Sequence, residues 1–380
     1  MQVDILLCAL SWWLVGYGIE NGFSNSFIGT SGFLGNNENK GWLFTFGFAL
    51  ATVSIISGCL AERTNLIAYP ILTIVTSVWI HPVVGHWAWD SNSWLQNISN
   101  CEFLDFAGGT VVHVTGGAIG LVGAVLCGPR LGRFEEGKAV PMPGHDISQV
   151  GMGTLLLWFG WFGFNCGSLY VQNQVPSNTG LFVDRVALNM TVAASSAGLA
   201  PLLLTSFMTG TFDLVVCCNG VLAGLVAATS SSGYVDPWCS LFIGLVAGLS
   251  YVGCSRLMLY LQVDDPLDST AVHLASGVIG TLLNGIFAKP SYVQALSTSQ
   301  CAGLVYSWTG GKLLGMQFLG VTVSIGWAVF FSLAAFFPLK YFKRLRVEQI
   351  TELAGIDNID HGGPAYPEFT IGIGHERNDA

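Results

Sequence analysis

The chain has 380 residues, 52% of them hydrophobic and only 10% charged, against about 25% charged in an ordinary soluble domain. So few charges cannot clothe a water-facing surface of this size. A net charge of −9, with no basic stripe interleaved with aromatics, excludes a nucleic-acid binder.

A membrane-spanning helix needs about 20 mostly apolar residues. Ten such runs follow in chain order, near 4–20, 41–60, 65–88, 106–127, 148–170, 184–208, 212–230, 236–256, 270–288 and 314–339. They are continuous and do not alternate in polarity, so helices are expected and strands are not. The expected fold is all-α, a polytopic membrane helix bundle. The first run lacks a basic flank and a small-residue cleavage site, so no cleavable signal peptide is evident.

Lys and Arg placement orients the bundle. With the N-terminus inside, the inner loops and tail hold ten of them, including Arg63, Arg130, Arg256 and Lys343. The outer loops hold four, Lys40, Arg185, Lys289 and Lys312. That excess on one side predicts cytoplasmic termini. Residues 1–341 then form the transmembrane domain, and 342–380 a cytoplasmic tail. Asn97-Ile98-Ser99 is a glycosylation sequon in an outer loop.

The ten cysteines form no CxxC pair. Most, such as Cys59, Cys127, Cys166 and Cys254, sit in apolar runs, where free Cys behaves as a small hydrophobe. Cys101 and Cys301 fall in outer loops, and whether they are joined is left open.

One repeat stands out. VHVTGGAIG (112–120) and VHLASGVIG (272–280) share Val-His, then Gly, Ile and Gly at equal offsets. Each follows an acidic residue, read here as Asp105 and Asp268. Five spans separate the copies, so they cross in opposite directions, as in inverted-repeat transporters with a site near the midplane. His113 and His273 lie inside apolar spans, where a polar side chain is costly unless it faces a cavity or a partner. A single such His is more often a satisfied core residue; two at matched positions point to function. Asp105, at the outer end of its span, can cap free backbone N–H groups. Trp161, Phe164 and Ser168 share one helical face, and Phe44 and Phe48 share another. Aromatic faces attract cations, although such stripes are more often packing. Trp89 ends a span where interfacial aromatics gather.

DFAGGTVVH (105–113), GHDISQVGMGTLLLWFGWFGFNCGS (144–168), GCLAERTN (58–65), DDPLDSTAVH (264–273) and GIDNIDHGGPAY (355–366) together resemble the ammonium transporter (Amt/Mep) family. The resemblance implies a bundle around a central pore, with His113 and His273 as its paired histidines. It implies Phe48 and Phe164 as a stacked aromatic gate, and Trp89, Ser168 and Phe48 as an outer ammonium-recruiting site. Asp105 would be a structural acid at the foot of the vestibule, with Phe44 and Trp161 as further vestibule aromatics. It implies ammonium or ammonia as substrate, a lipid environment at the plasma membrane, a homotrimer with a coupling tail, and no cofactor or metal. The first family span is missing from the resemblance, which leaves trimer contacts in doubt and suggests a start upstream of Met1. His81 stands where many members carry a vestibule Tyr.

Two other classes compete with transport. The same fold could serve as an ammonium sensor or a non-conducting subunit. A metalloenzyme built on His81, His86, His113 and His273 lacks carboxylate or thiolate ligands at workable spacing.

Overall fold

The structure, a computed structural model, describes residues 2–23, 25–35, 41–171, 179–307, 311–360 and 363. Among these, ten helices are long and apolar enough to cross a membrane. They are α1 (Gln2–Asn21), α2 (Trp42–Leu60), α3 (Ala68–Asn97), α4 (Gly109–Cys127) and α5 (Ile147–Tyr170). There follow α6 (Thr179–Thr209), α7 (Leu214–Ser231), α8 (Pro237–Tyr260), α9 (Thr270–Phe287) and α10 (Gly311–Tyr341). Each coincides with an expected run, and the ends differ for physical reasons. Asp184 and Arg185 do not delay α6, because the Arg185 guanidinium lies 3.6 Å above the Tyr292 ring. Beyond Trp89, α3 breaks at Asp90 and resumes as a short turn from Trp94 to Asn97, capped by the Ser93 hydroxyl. Strands were not expected, yet the loop after α4 holds a hairpin, Phe134–Glu135 against Lys138–Ala139. Glu136 and Gly137 both take positive φ there, which a two-residue turn of this twist demands.

Small residues let the helices meet backbone to backbone. Gly220 and Gly224 of α7, and Gly244 and Gly248 of α8, all press on the Ala193 and Ala197 turns of α6. Leu155, Leu156, Leu157 and Phe159 of α5 are exposed on the outside of the bundle, as lipid-facing positions must be.

The repeat helices α4 and α9 run antiparallel. A disulfide joins Cys101, before α4, to Cys301, after α9. At the opposite end Asp264, before α9, takes hydrogen bonds from Arg130 and Arg133, after α4. We call the disulfide end outer and the Asp264 end inner. The segment after α10 docks on the inner end, where Arg346 pairs with Glu352 at 2.8 Å and Val347 N–H donates to the Arg63 carbonyl. Lys40, Arg377 and the end of the GIDNIDHGGPAY run lie outside the described residues.

Candidate functional site

An outer cavity of about 340 Å³ opens between α1, α2, α3 and α5. Trp89, Ser168 and Phe48, expected to form one outer site, all line it, as do Phe44 and Asp105. The Trp89 indole N–H donates to the Asp105 carbonyl at 2.9 Å, which occupies the ring's one polar atom. Ser168 donates to the Phe164 carbonyl at 2.9 Å, so its oxygen keeps lone pairs for another donor.

Asp105 is fully engaged. Oδ1 accepts from the N–H groups of Gly108 and Gly109, at 3.1 and 2.7 Å. Oδ2 accepts from Thr110 and Val111, at 2.8 and 2.9 Å. These are the donors that the start of α4 leaves without helical partners. The carboxylate therefore builds the helix end, and has no acceptor site spare for a ligand.

The floor of the cavity is aromatic. Phe48 packs on Phe44, Trp89 and Phe164, with ring centres 4.7, 5.3 and 4.4 Å apart. The Phe48–Phe164 planes stand at 66°. The resemblance implied a stacked pair, and the structure gives an edge-to-face one, which the ring quadrupoles favour over a face-to-face sandwich. Trp161 does not line the cavity. It stacks on His113 at 5.4 Å and 20°, with its N–H donating to Thr229.

Next to Phe164, His113 and His273 meet, Nδ1 to Nδ1, at 3.1 Å, their rings 17° from parallel. Each sits in a π-helical turn, Gly109–Val114 and Thr270–Ala275. Such a turn inserts one residue and re-aims the side chains that follow, a device frequent at functional sites. Both turns are entered through a left-handed residue, Gly108 at φ 94° and Asp268 at φ 54°. That corrects the acid pairing. Asp268 is the counterpart of Gly108, while Asp265 is the counterpart of Asp105, and it likewise accepts the N–H of Thr270 at 2.6 Å. The 160-residue offset between His113 and His273 already matches Asp105 to Asp265, so this pairing was legible in the spacing and was missed.

The crossing of α4 and α9 is close enough to touch backbone. A Cβ on Gly117 would fall 2.6 Å from the Leu274 nitrogen, and one on Gly277 would fall 2.8 Å from the Gly109 carbonyl oxygen. His113 is 2% exposed, and its Nε2 has no hydrogen-bond partner, whereas His273 is half-buried.

Cavity, aromatic pair and buried imidazole pair follow one another in contact. A sequence model described as the ammonium transporter family matches residues 1–366. The chain belongs to that family. It is 36% identical over 371 residues to ammonium transporter 3 of Dictyostelium discoideum, covering 96% of this chain and 84% of the relative. A solved structure titled Sensor Amt Protein superposes with a TM-score of 0.84 at 34% identity, covering 94% of this chain and 87% of that one. Mep2 of Saccharomyces cerevisiae gives a TM-score of 0.78 at 27% identity, covering 91% and 78%. The chain is thus a multi-pass integral membrane protein of a transporter family and not an enzyme. Its assignment is ammonium transport, and the sensor alternative is not favoured.

Several cavity residues of this ammonium transporter escaped the sequence reading, notably Glu20, Thr45, Glu102 and Tyr234. Glu20 carried a usable signal, as an acid at the end of an otherwise apolar run. The others look like ordinary loop or span residues until the fold brings them together.

Proposed function

We propose that ammonium enters the outer cavity, is held weakly by Trp89, Phe48 and Ser168, gives up a proton, and crosses as ammonia past His113 and His273. The observation that carries this reading is the 3.1 Å imidazole contact buried behind the aromatic gate. A single N–H shared between the two Nδ1 atoms fixes both rings, and His113 Nε2 is left buried without a partner. An ammonia molecule, both donor and acceptor, satisfies such an edge.

The energetics favour ammonia over the ion. An ionised group deep in a bundle is costly, and desolvation pushes a cation to shed its proton. Potassium has no proton to lose, so the Phe48–Phe164 pair stops it. Two charged imidazoles at this separation would repel each other, so the pair carries at most one added proton. In this reading the protein works as a plasma-membrane homotrimer, with both termini and the docked tail in the cytoplasm.

The test is methylammonium uptake into vesicles holding the purified protein, with potassium as competitor. Uptake that saturates and ignores potassium is expected. Absence of uptake by protein that is folded and inserted overturns the proposal.

A further inference from the structure

A second acid–imidazole pair stands in the cavity wall. Glu20, near the outer end of α1, lines the cavity beside Phe44, Phe48 and Trp89, and is only 3% exposed. Its Oε1 accepts from the Asn21 amide at 3.2 Å. Its Oε2 has no hydrogen-bond partner and lies 3.4 Å from Nε2 of His81, which has none either. A Cβ at residue 85 would fall 2.2 Å from that oxygen, so the carboxylate is seated against bare Gly85.

His81 is fully buried against Trp12 and follows directly on the π-helical turn Thr76–Ile80. Thr52 favours one tautomer of the ring. The Thr52 hydroxyl donates to the Phe48 carbonyl at 3.1 Å, so its oxygen accepts from His81 Nδ1 at 2.9 Å. Nδ1 then carries the hydrogen, and Nε2 presents a lone pair to the carboxylate. Two buried acceptors facing each other are unfavourable until a proton lies between them.

We propose that Glu20 and His81 are a proton-accepting couple in the vestibule wall, which takes the proton ammonium loses before ammonia passes Phe48. One N–H bond of ammonium breaks, and its electron pair stays on the nitrogen as the lone pair of ammonia. The proton enters between Oε2 and Nε2 and bonds to Nε2, turning a carboxylate beside a neutral imidazole into an ion pair. The couple later returns it to the outer solution through the same cavity. The other titratable groups near it are Tyr17 on α1 and His86 on α3, with Asp90, Glu102 and Asp105 elsewhere in the cavity wall. Both ring nitrogens of His86 face carbonyl oxygens, of Glu20 and Asn25, at 3.0 and 3.1 Å, and a neutral ring can donate to only one of them. On α2 the neighbour is the uncharged Thr52.

This inference rests on the reading of the chain as a conduit that deprotonates ammonium. Its test is uptake by Glu20→Gln and His81→Phe at acid, neutral and alkaline pH. The parent should slow in acid, where return of the proton to the outer solution is opposed by mass action. Both variants should lose about tenfold or more at neutral pH, yet match the parent in alkali, where ammonia needs no deprotonation. A parental profile in either variant, or equal loss at neutral and alkaline pH, overturns the couple. In the same assay loss at His113→Leu without loss at Glu20→Gln leaves the pore reading standing and removes only this one. Infrared difference spectra probe the couple with both of its residues intact. As ammonium is added, an imidazolium band should appear in the parent and in His113→Leu alike, and its absence also overturns the proposal.

Discussion

Phe48 and Phe164 meet edge to face at 4.4 Å, and the same Phe164 ring lies 5.8 Å from His113. One aromatic contact therefore separates the outer cavity from the imidazole pair. Such a pair is worth about 0.5–1.5 kcal/mol beyond its burial, small enough for a ring to swing aside as a molecule passes. Phe164→Ala should keep ammonium uptake but admit potassium, seen as potassium competition that the parent lacks. A variant as selective as the parent would show that the ring does not act as the barrier.

Leu at His113 or His273 keeps the bulk of the side chain and removes its polar edge. Methylammonium uptake should fall at least tenfold while membrane abundance stays near parental. Glu at His273 adds a negative charge instead, and potassium should then compete for passage. Both effects are read in the same vesicle assay.

Asp105 predicts a folding defect rather than a binding one. Asp105→Ala strands four N–H donors at the start of α4, each costing about 1–3 kcal/mol when buried. Membrane yield should drop severely, while Asp105→Asn, which keeps one accepting oxygen, should fall between. If Asp105→Ala folds well but binds ammonium weakly, the carboxylate serves the ligand directly.

Span number and order, the paired histidines and the aromatic faces were legible because each is written in local composition or spacing. Lipid demands long apolar runs, and His113 and His273 interrupt theirs at matched repeat positions. What stayed hidden depends on geometry. The edge-to-face meeting of Phe48 and Phe164 and the stacking of Trp161 on His113 follow from how α2, α4 and α5 cross. The π-helical turns leave no composition signal. The Cys101–Cys301 bond joins loops 200 residues apart, a distance over which spacing says nothing about pairing.

At the inner end Asp264 supplies a pH prediction. Burial opposes its ionisation, but the hydrogen bonds from Arg130, and its charge, outweigh that and hold the carboxyl below the usual carboxylate range. A carboxyl whose folded value is depressed stabilises the fold fully above its unfolded value, about 3.9, and loses that contribution as pH falls through the lower folded value. Hydrogen exchange in residues 128–140 should therefore stay slow at neutral pH and accelerate only in strong acid. Asp264→Asn should show the fast exchange at neutral pH.

The bond between Cys101 and Cys301 belongs with that inner cluster. Each ties the first half of the chain to the second, one on each side of the membrane. Carriers that work by swinging one half against the other need a seam that can part on each face in turn. Here one face is stitched covalently and the other is clamped by two guanidinium groups on one carboxylate. The halves are thereby tied at both ends, and a ring-sized movement at Phe48 and Phe164 needs neither tie to break.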